Sequence, residues 1–332
     1  MEIAMSRRIF VLLFAFVVSS MAQGQSFAQN FPAKPVRLVV AFPPGGGADV
    51  VARTVAAKMF DSLGQTVFVD NRAGASGNIG TDAVAKSPAD GYTLLLGTAA
   101  NVINSAAASL GGAKLNHDFL KDFAPVILLV KNQNVLVAHP SLPAKSVPEL
   151  IALVRSKPGA LNFGSYGTGS SSHLAGELFR QMAQVNITHV PYKGAAPAVN
   201  DLLAGQVQLV FADVAVVLQH VRAGKLRAIA LGSPKRFEGL PEVPTFDESG
   251  LPGYEAGGFL GLVAPAGTAQ DAVSRLHDSA ARALAAQDVR ERLLSLGATP
   301  IGGTPAEFGS YLRTEIDKWA RVIRTGNISL EQ

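Results

Sequence analysis

One pattern constrains this chain more than any other, and it occurs twice: a short apolar run, a loop rich in glycine or hydroxyl residues, then a helical stretch. The first copy is the β-branched run 36–41, followed by Phe42, Pro43, Pro44, Gly45, Gly46, Gly47, Ala48 and Asp49. Asp49 opens a helical stretch to about residue 60, with Val50, Val51, Val55 and Met59 on one side. The second copy is the run 161–164, followed by Ser165, Tyr166, Gly167, Thr168, Gly169, Ser170, Ser171, Ser172 and His173 and a helix to about residue 183. A strand that feeds a helix through a tight loop is half of a crossover unit. Repeated crossover units build a parallel sheet with helices on both faces.

The rest of the pattern follows suit. Strands are expected at 67–70 and 93–97, with a helix at 78–86 between them. The pattern restarts after about residue 130 with a strand at 135–138. Ser146 and Glu149 then form a capping-box signature for a helix to about residue 155. Further strands fall at 187–190, 209–212 and 226–231, with helices at 197–203 and 214–222. A turn-rich stretch, 234–253, precedes a strand at 259–264 and helices at 271–286, 288–295 and 305–326. With 332 residues, two lobes are the natural division. Lobe one is expected to comprise 31–130 and 250–332. Lobe two, 131–249, is inserted in it, with a ligand cleft between the two. In open α/β sheets, ligands sit beyond the carboxyl ends of the strands, where both loops lie.

The N-terminus reads as an export signal. Arg7 and Arg8 precede ten apolar residues, 9–18, too few to span a bilayer, which takes ~20. Small-x-small sites end at Ala22 and Ala28, and cleavage is expected after Ala28. Removing 1–28 takes away Arg7, Arg8 and Glu2, leaving 27 − 24 = +3 in place of +4. There is no cysteine, so neither a disulfide nor a lipid anchor on cysteine is available. A periplasmic location is expected. The small positive surplus, without interleaved Lys/Arg and aromatic runs, gives no sign of a nucleic-acid partner.

The three glycines of the first loop suit close approach of backbone to a ligand, or merely a flexible turn. The second loop offers N–H groups and hydroxyls at a helix start, which can hold a carboxylate or simply cap the helix. Two such loops, one per lobe, favour binding. On this reading a bulky residue at Gly46 abolishes binding. Tyr192 and Lys193, at the end of the run 187–190, are candidates to face the cleft; Lys193 is equally an ordinary solvated lysine. Asp213 can receive a ligand ammonium or hydroxyl, or cap the next helix. No Gly-x-Ser-x-Gly, Ser-x-x-Lys or His-Glu-x-x-His motif occurs, and no two of the six histidines have i,i+4 spacing. Catalysis, a metal and a cofactor are therefore not expected. A hydrolase using Ser170–Ser172 with His173 is the weakest alternative.

The stretches 35–49, 69–80, 87–94, 166–170, 190–194 and 240–245 together resemble the substrate-binding proteins of tripartite tricarboxylate transporters, the Bug family. The resemblance covers nearly all of the chain after the leader. It implies a two-lobed Venus-flytrap fold whose two loops, Phe42 to Asp49 and Tyr166 to His173, grip the carboxylate of an organic acid. It implies that Phe42 covers the ligand and that Asn104 contacts it from lobe one. It also implies docking on a large and a small integral membrane subunit; a ligand sensor acting on a signalling partner is the alternative. The candidate site is thus Phe42, Pro44, Gly46, Gly47, Asp49, Asn104, Tyr166, Gly167, Thr168, Gly169, Ser170, Ser171, His173, Tyr192, Lys193 and Asp213. Neither loop contains an arginine.

Overall fold

The computed structural model describes residues 31–112 and 114–328; the expected leader and its cleavage sites lie outside them. The strands, in chain order, are β1 (Val36–Val40), β2 (Val67–Asn71), β3 (Thr93–Thr98), β4 (Phe123–Asn132), β5 (Asn134–Ala138), β6 (Asn162–Ser165), β7 (Thr188–Pro191), β8 (Leu209–Asp213), β9 (Arg227–Leu231), β10 (Gly258–Pro265) and β11 (Ala298–Gly302). The helices are α1 (Gly47–Leu63), α2 (Asn78–Ala85), α3 (Ala99–Ser109), α4 (Val147–Ser156), α5 (Ser171–Ala183), α6 (Ala195–Leu203), α7 (Val214–Arg222), α8 (Gln270–Ala285), α9 (Gln287–Ser295) and α10 (Pro305–Thr325).

They form two sheets, ordered β11-β4-β10-β3-β1-β2 and β7-β6-β8-β5-β9. The chain passes between them at Gln133 and returns between Leu231 and Gly258. Both sheets are mixed, where the crossover pattern alone implied parallel ones. β1 runs parallel to β2 and β3, and β6 parallel to β7 and β8. β10 opposes both its neighbours, β3 and β4, because it enters from the second sheet whereas β4 leaves toward it. β5 opposes β8 and β9. Strands covered on both faces read as unbroken apolar runs, and β3 and β5 are buried at every position.

Three elements at the cleft, β4, α3 and β11, were not expected from the sequence. β4 contains Pro125 and adjoins the lobe-crossing residue, so it gave no bounded strand signal. The α3 sequence is dominated by alanine, asparagine and serine, with no charged face to mark a period.

The C-terminal helix is shared by the two lobes. Thr304 caps α10 in a reciprocal box with Glu307, and Pro305 occupies its first turn. Its apolar face packs on β4 and α3 of the first lobe and on α5 of the second. Gln181 of α5 donates to the Val322 carbonyl at 2.9 Å. Trp319 is fully buried beneath it, its indole N–H donating to Glu315 at 3.0 Å. The stretch after Leu231 packs on the second sheet: Phe246 stacks near Phe179 and Phe211, and the Tyr254 hydroxyl donates to the Ala175 carbonyl at 2.9 Å.

Candidate functional site

The second lobe presents a loop with free donors. Gly167 and Gly169 take positive φ, +127° and +77°, which lets the chain turn sharply from β6 into α5. Ser170 caps α5, its hydroxyl accepting from the His173 N–H at 3.2 Å. Support comes from beneath. The Gly169 N–H donates to His173 Nδ1 at 3.1 Å, and the Gly167 N–H to the Ser165 hydroxyl at 3.2 Å. Ser165 in turn meets His189 Nε2 at 2.6 Å, and the two imidazoles stack at 3.8 Å. Burial first, and then neighbouring positive charge, push these rings down to about 3 for His173 and about 4 for His189, so both are neutral. The backbone N–H groups of Thr168, Ser171 and Ser172 have no acceptor among the described residues. No acidic residue occupies the first turn of α5. Donors at a helix N-terminus with no resident anion suit a carboxylate.

The first lobe repeats the outline of this arrangement with one difference: its helix start already holds a carboxylate. Asp49, in the first turn of α1, is buried. Its carboxylate accepts from the Gly45 N–H at 2.9 Å, from Arg53 at 3.0 Å and from Asn71 at 2.9 Å. The Arg53 hydrogen bond, aided by those from Gly45 and Asn71, holds its carboxyl down to about 2 against the cost of burial. Asn71 also donates to the Phe42 carbonyl at 3.0 Å, which fixes the loop on β2.

Between the lobes lies a cavity of about 710 Å³. The expected residues it brings together are Phe42, Gly47 and Asn104 from the first lobe, and Tyr166, Gly167, Thr168, Gly169, Ser170, Ser171 and Asp213 from the second. Asn104 spends its amide N–H on the Ser76 carbonyl and the Asn78 side chain, bracing the loop before α2. Tyr166 places its hydroxyl over the start of α7, where it accepts from the Asp213 N–H at 3.1 Å. Burial, and then the Asp213 charge, push its phenol far up, so it remains a donor. Burial raises the Asp213 carboxyl to about 6. Sequence reasoning missed Gln133 and Asn132 at the crossing, Thr98 at the end of β3, and the apolar wall of Ile103, Val216, Phe259 and Leu296. Of these, only Thr98 and Phe259 fell at or beside expected strands, and nothing in their order says that they face one space.

Six expected residues do not line the cavity. Pro44 and Gly46 are exposed and are not among the lining residues. Gly46 has an ordinary φ of −75°, and an added Cβ would meet only the Pro43 carbonyl oxygen at 3.7 Å, so the sequence reason for a glycine there is absent. Asp49 is turned inward, as described. His173 is buried under its loop rather than on it, and acts on Gly169. Tyr192 points away to α6, its hydroxyl donating to Asp201 at 2.7 Å. Lys193 is exposed outside the cleft. The hydrolase arrangement is not formed: Ser170 accepts from the His173 backbone and His173 Nδ1 is held by Gly169. The serine that does meet an imidazole, Ser165 with His189, is fully buried.

These features agree with comparisons to known proteins. Residues 51–328 match the model of the tripartite tricarboxylate transporter family receptor, TctC. Protein BugT of Bordetella pertussis is 38% identical over 98% of this chain and 99% of its own length. A solved R. palustris protein with adipate is 37% identical, with a TM-score of 0.75, covering 90% of this chain and 99% of the other. MatC from Rhodopseudomonas palustris, with bound malate, is 34% identical with a TM-score of 0.72, covering 88% of this chain and 100% of the other. The two-sheet fold, the interlobe cleft and matches over nearly the full length converge: this chain belongs to the family of tripartite tricarboxylate transporter receptors that includes the Bug proteins.

Proposed function

We propose that this protein is a periplasmic receptor that closes its lobes on a small organic carboxylate and delivers it to a membrane transporter of one large and one small integral subunit. The observation that carries the reading is the Tyr166–Ser171 loop: backbone donors, hydroxyls and a helix N-terminus without a resident acid, opening onto an interlobe cavity of about 710 Å³. The relatives solved with adipate and malate support a carboxylate ligand. Export by the 1–28 leader fits this role. So does the lobe division, 31–130 with 250–332 around an inserted 131–249, with the Tyr254 contacts adding a few residues to the inserted lobe. The ligand's carboxylate sits against the N–H groups of Thr168 and Ser171, and closure brings Phe42, Gly47 and Ala48 over it.

A thermal-shift screen against mono-, di- and tricarboxylates, aromatic acids and amino acids tests this. A ligand that binds only the native state raises the midpoint as RT ln(1 + [L]/Kd). A shift with an acid, and none with its amide, is the expected result. No shift with any acid removes the receptor reading.

A further inference from the structure

The cleft contains one anion seat and one unmatched negative charge. The seat is the second-lobe loop. Its counterpart in the first lobe carries the chain's own Asp49 carboxylate in the first helical turn, bonded to Gly45, Arg53 and Asn71, so a second anion there meets a resident negative charge. Among the described residues, no lysine, arginine or histidine lines the cavity. A second ligand carboxylate therefore meets no cation.

Asp213 is the only ionisable carboxylate among the described lining residues. It is half-buried, and its carboxylate has no hydrogen-bond or ion-pair partner among the described residues. Its place is fixed beside the anion seat, because its own N–H donates to Tyr166 of the loop at 3.1 Å. Gln133 adjoins it: the N–H of Val214, the next residue, donates to the Gln133 carbonyl at 2.9 Å. The Gln133 side-chain amide donates to Thr299 at 3.0 Å, which leaves its Oε1 buried and without a partner. Two acceptors without partners, the charged Asp213 carboxylate and the enclosed Gln133 Oε1, thus lie next to a group of donors. A partly buried charge without a partner is costly, and a ligand of like charge beside it makes matters worse. A ligand cation there relieves both. The rest of the lining mixes the apolar residues Ile103, Ala107, Val216, Phe259 and Leu296 with the neutral polar residues Ser76, Thr98, Asn104 and Asn132, and offers no further charge.

We propose that the cleft selects a zwitterion: one carboxylate held by the Tyr166–Ser171 loop, one ammonium received by Asp213 with Gln133, and an uncharged body against the rest of the lining. This rests on the carboxylate-receptor reading and narrows it to amino acids with uncharged side chains rather than di- or tricarboxylates. It makes Asp213 a specificity determinant, acting on the charge of the ligand and not on the anion seat.

The test is calorimetric titration of the purified protein, stripped of carried-over ligand by unfolding and refolding, with matched pairs. The pairs are phenylalanine and 3-phenylpropionate, leucine and 4-methylpentanoate, and 6-aminohexanoate and hexanoate; adipate and malate serve as dicarboxylates. At least one amino acid is expected to bind ten-fold or more tightly than its desamino partner and than both dicarboxylates. In Asp213→Asn that preference is expected to vanish or invert, because the variant loses the ammonium's partner and no longer repels a lone carboxylate. If a dicarboxylate or a desamino acid binds the wild type more tightly than every amino acid, the zwitterion is overturned while the receptor stands. An unchanged preference in a folded Asp213→Asn also overturns it. If none of these acids binds and the wider panel gives no shift, the receptor reading itself fails.

Discussion

The two strand–loop–helix segments look alike in sequence and do opposite things. Both turn on glycine, both start a helix and both reach the cleft. In the first, the acid of the helix start is Asp49, three hydrogen bonds deep in its own loop. In the second, the corresponding turn carries serines, and the supporting hydrogen bonds come from histidines underneath. A helix N-terminus holds one anion well. Where the chain sets its own acid in the first turn, that acid clasps the loop through Gly45, Arg53 and Asn71; where it does not, no resident charge stands beside the donors. A glycine-rich loop is thus judged by which of its polar partners are already taken.

Acid separates the two segments most strongly. Both imidazoles have folded pKa values below their unfolded ones, so they are neutral in the native state at pH 7. Their contribution is complete above about pH 6.5 and is lost as pH falls toward 4 and 3. Asp213, raised to about 6, works against this, since its protonation relieves the native state below that pH. The net expectation is a loss on the order of 3 kcal/mol between pH 7 and pH 4.5. Asp49, held near 2, contributes nothing in that window. Denaturant midpoints across this range, with amide exchange to locate the opening, should show the second lobe loosening first. A loss centred on α1 would reverse the comparison.

Removing the resident anion tests the first segment. Asp49→Asn should cost about 2 kcal/mol at pH 7, the contribution of a carboxyl lowered by nearly two units, and much less below pH 2. Ligand affinity should change little, because Asp49 does not line the cleft. Equal losses of stability and affinity would mean that the clasp and the site are one.

A pair of glycine variants sharpens the contrast. Gly169→Val puts a β-branched residue at φ +77° and should weaken ligand binding on the order of ten-fold or more. Gly46→Val, at an ordinary φ with open space around it, should leave binding nearly unchanged. This reverses the sequence expectation for Gly46, and titrating the two variants side by side decides between them. The smallest effect is expected from Thr168→Val, which removes one hydroxyl from the seat and should cost about 1 kcal/mol of affinity. No change would assign the grip to the backbone N–H groups alone.

Much of this protein is written locally. The strands β1, β2, β3 and β5 to β10, the cap at Ser146, and the second-lobe loop from Tyr166 to Ser171 follow from short apolar runs, turn residues and capping residues, all of which act within a few positions of the chain. Membership of the family was also legible, because its motifs are contiguous stretches. Tertiary structure alone decided the rest. β10 returns between β3 and β4 and makes the sheet mixed, a matter of where a distant segment re-enters. His173 and Tyr192 face inward because each finds its partner there, Gly169 for one and Asp201 for the other. Gln133, Val216 and Leu296 share one cavity although some 160 residues separate the first from the last. A side chain's direction is set by whatever packs against it, and those neighbours come from parts of the chain that no local pattern can name.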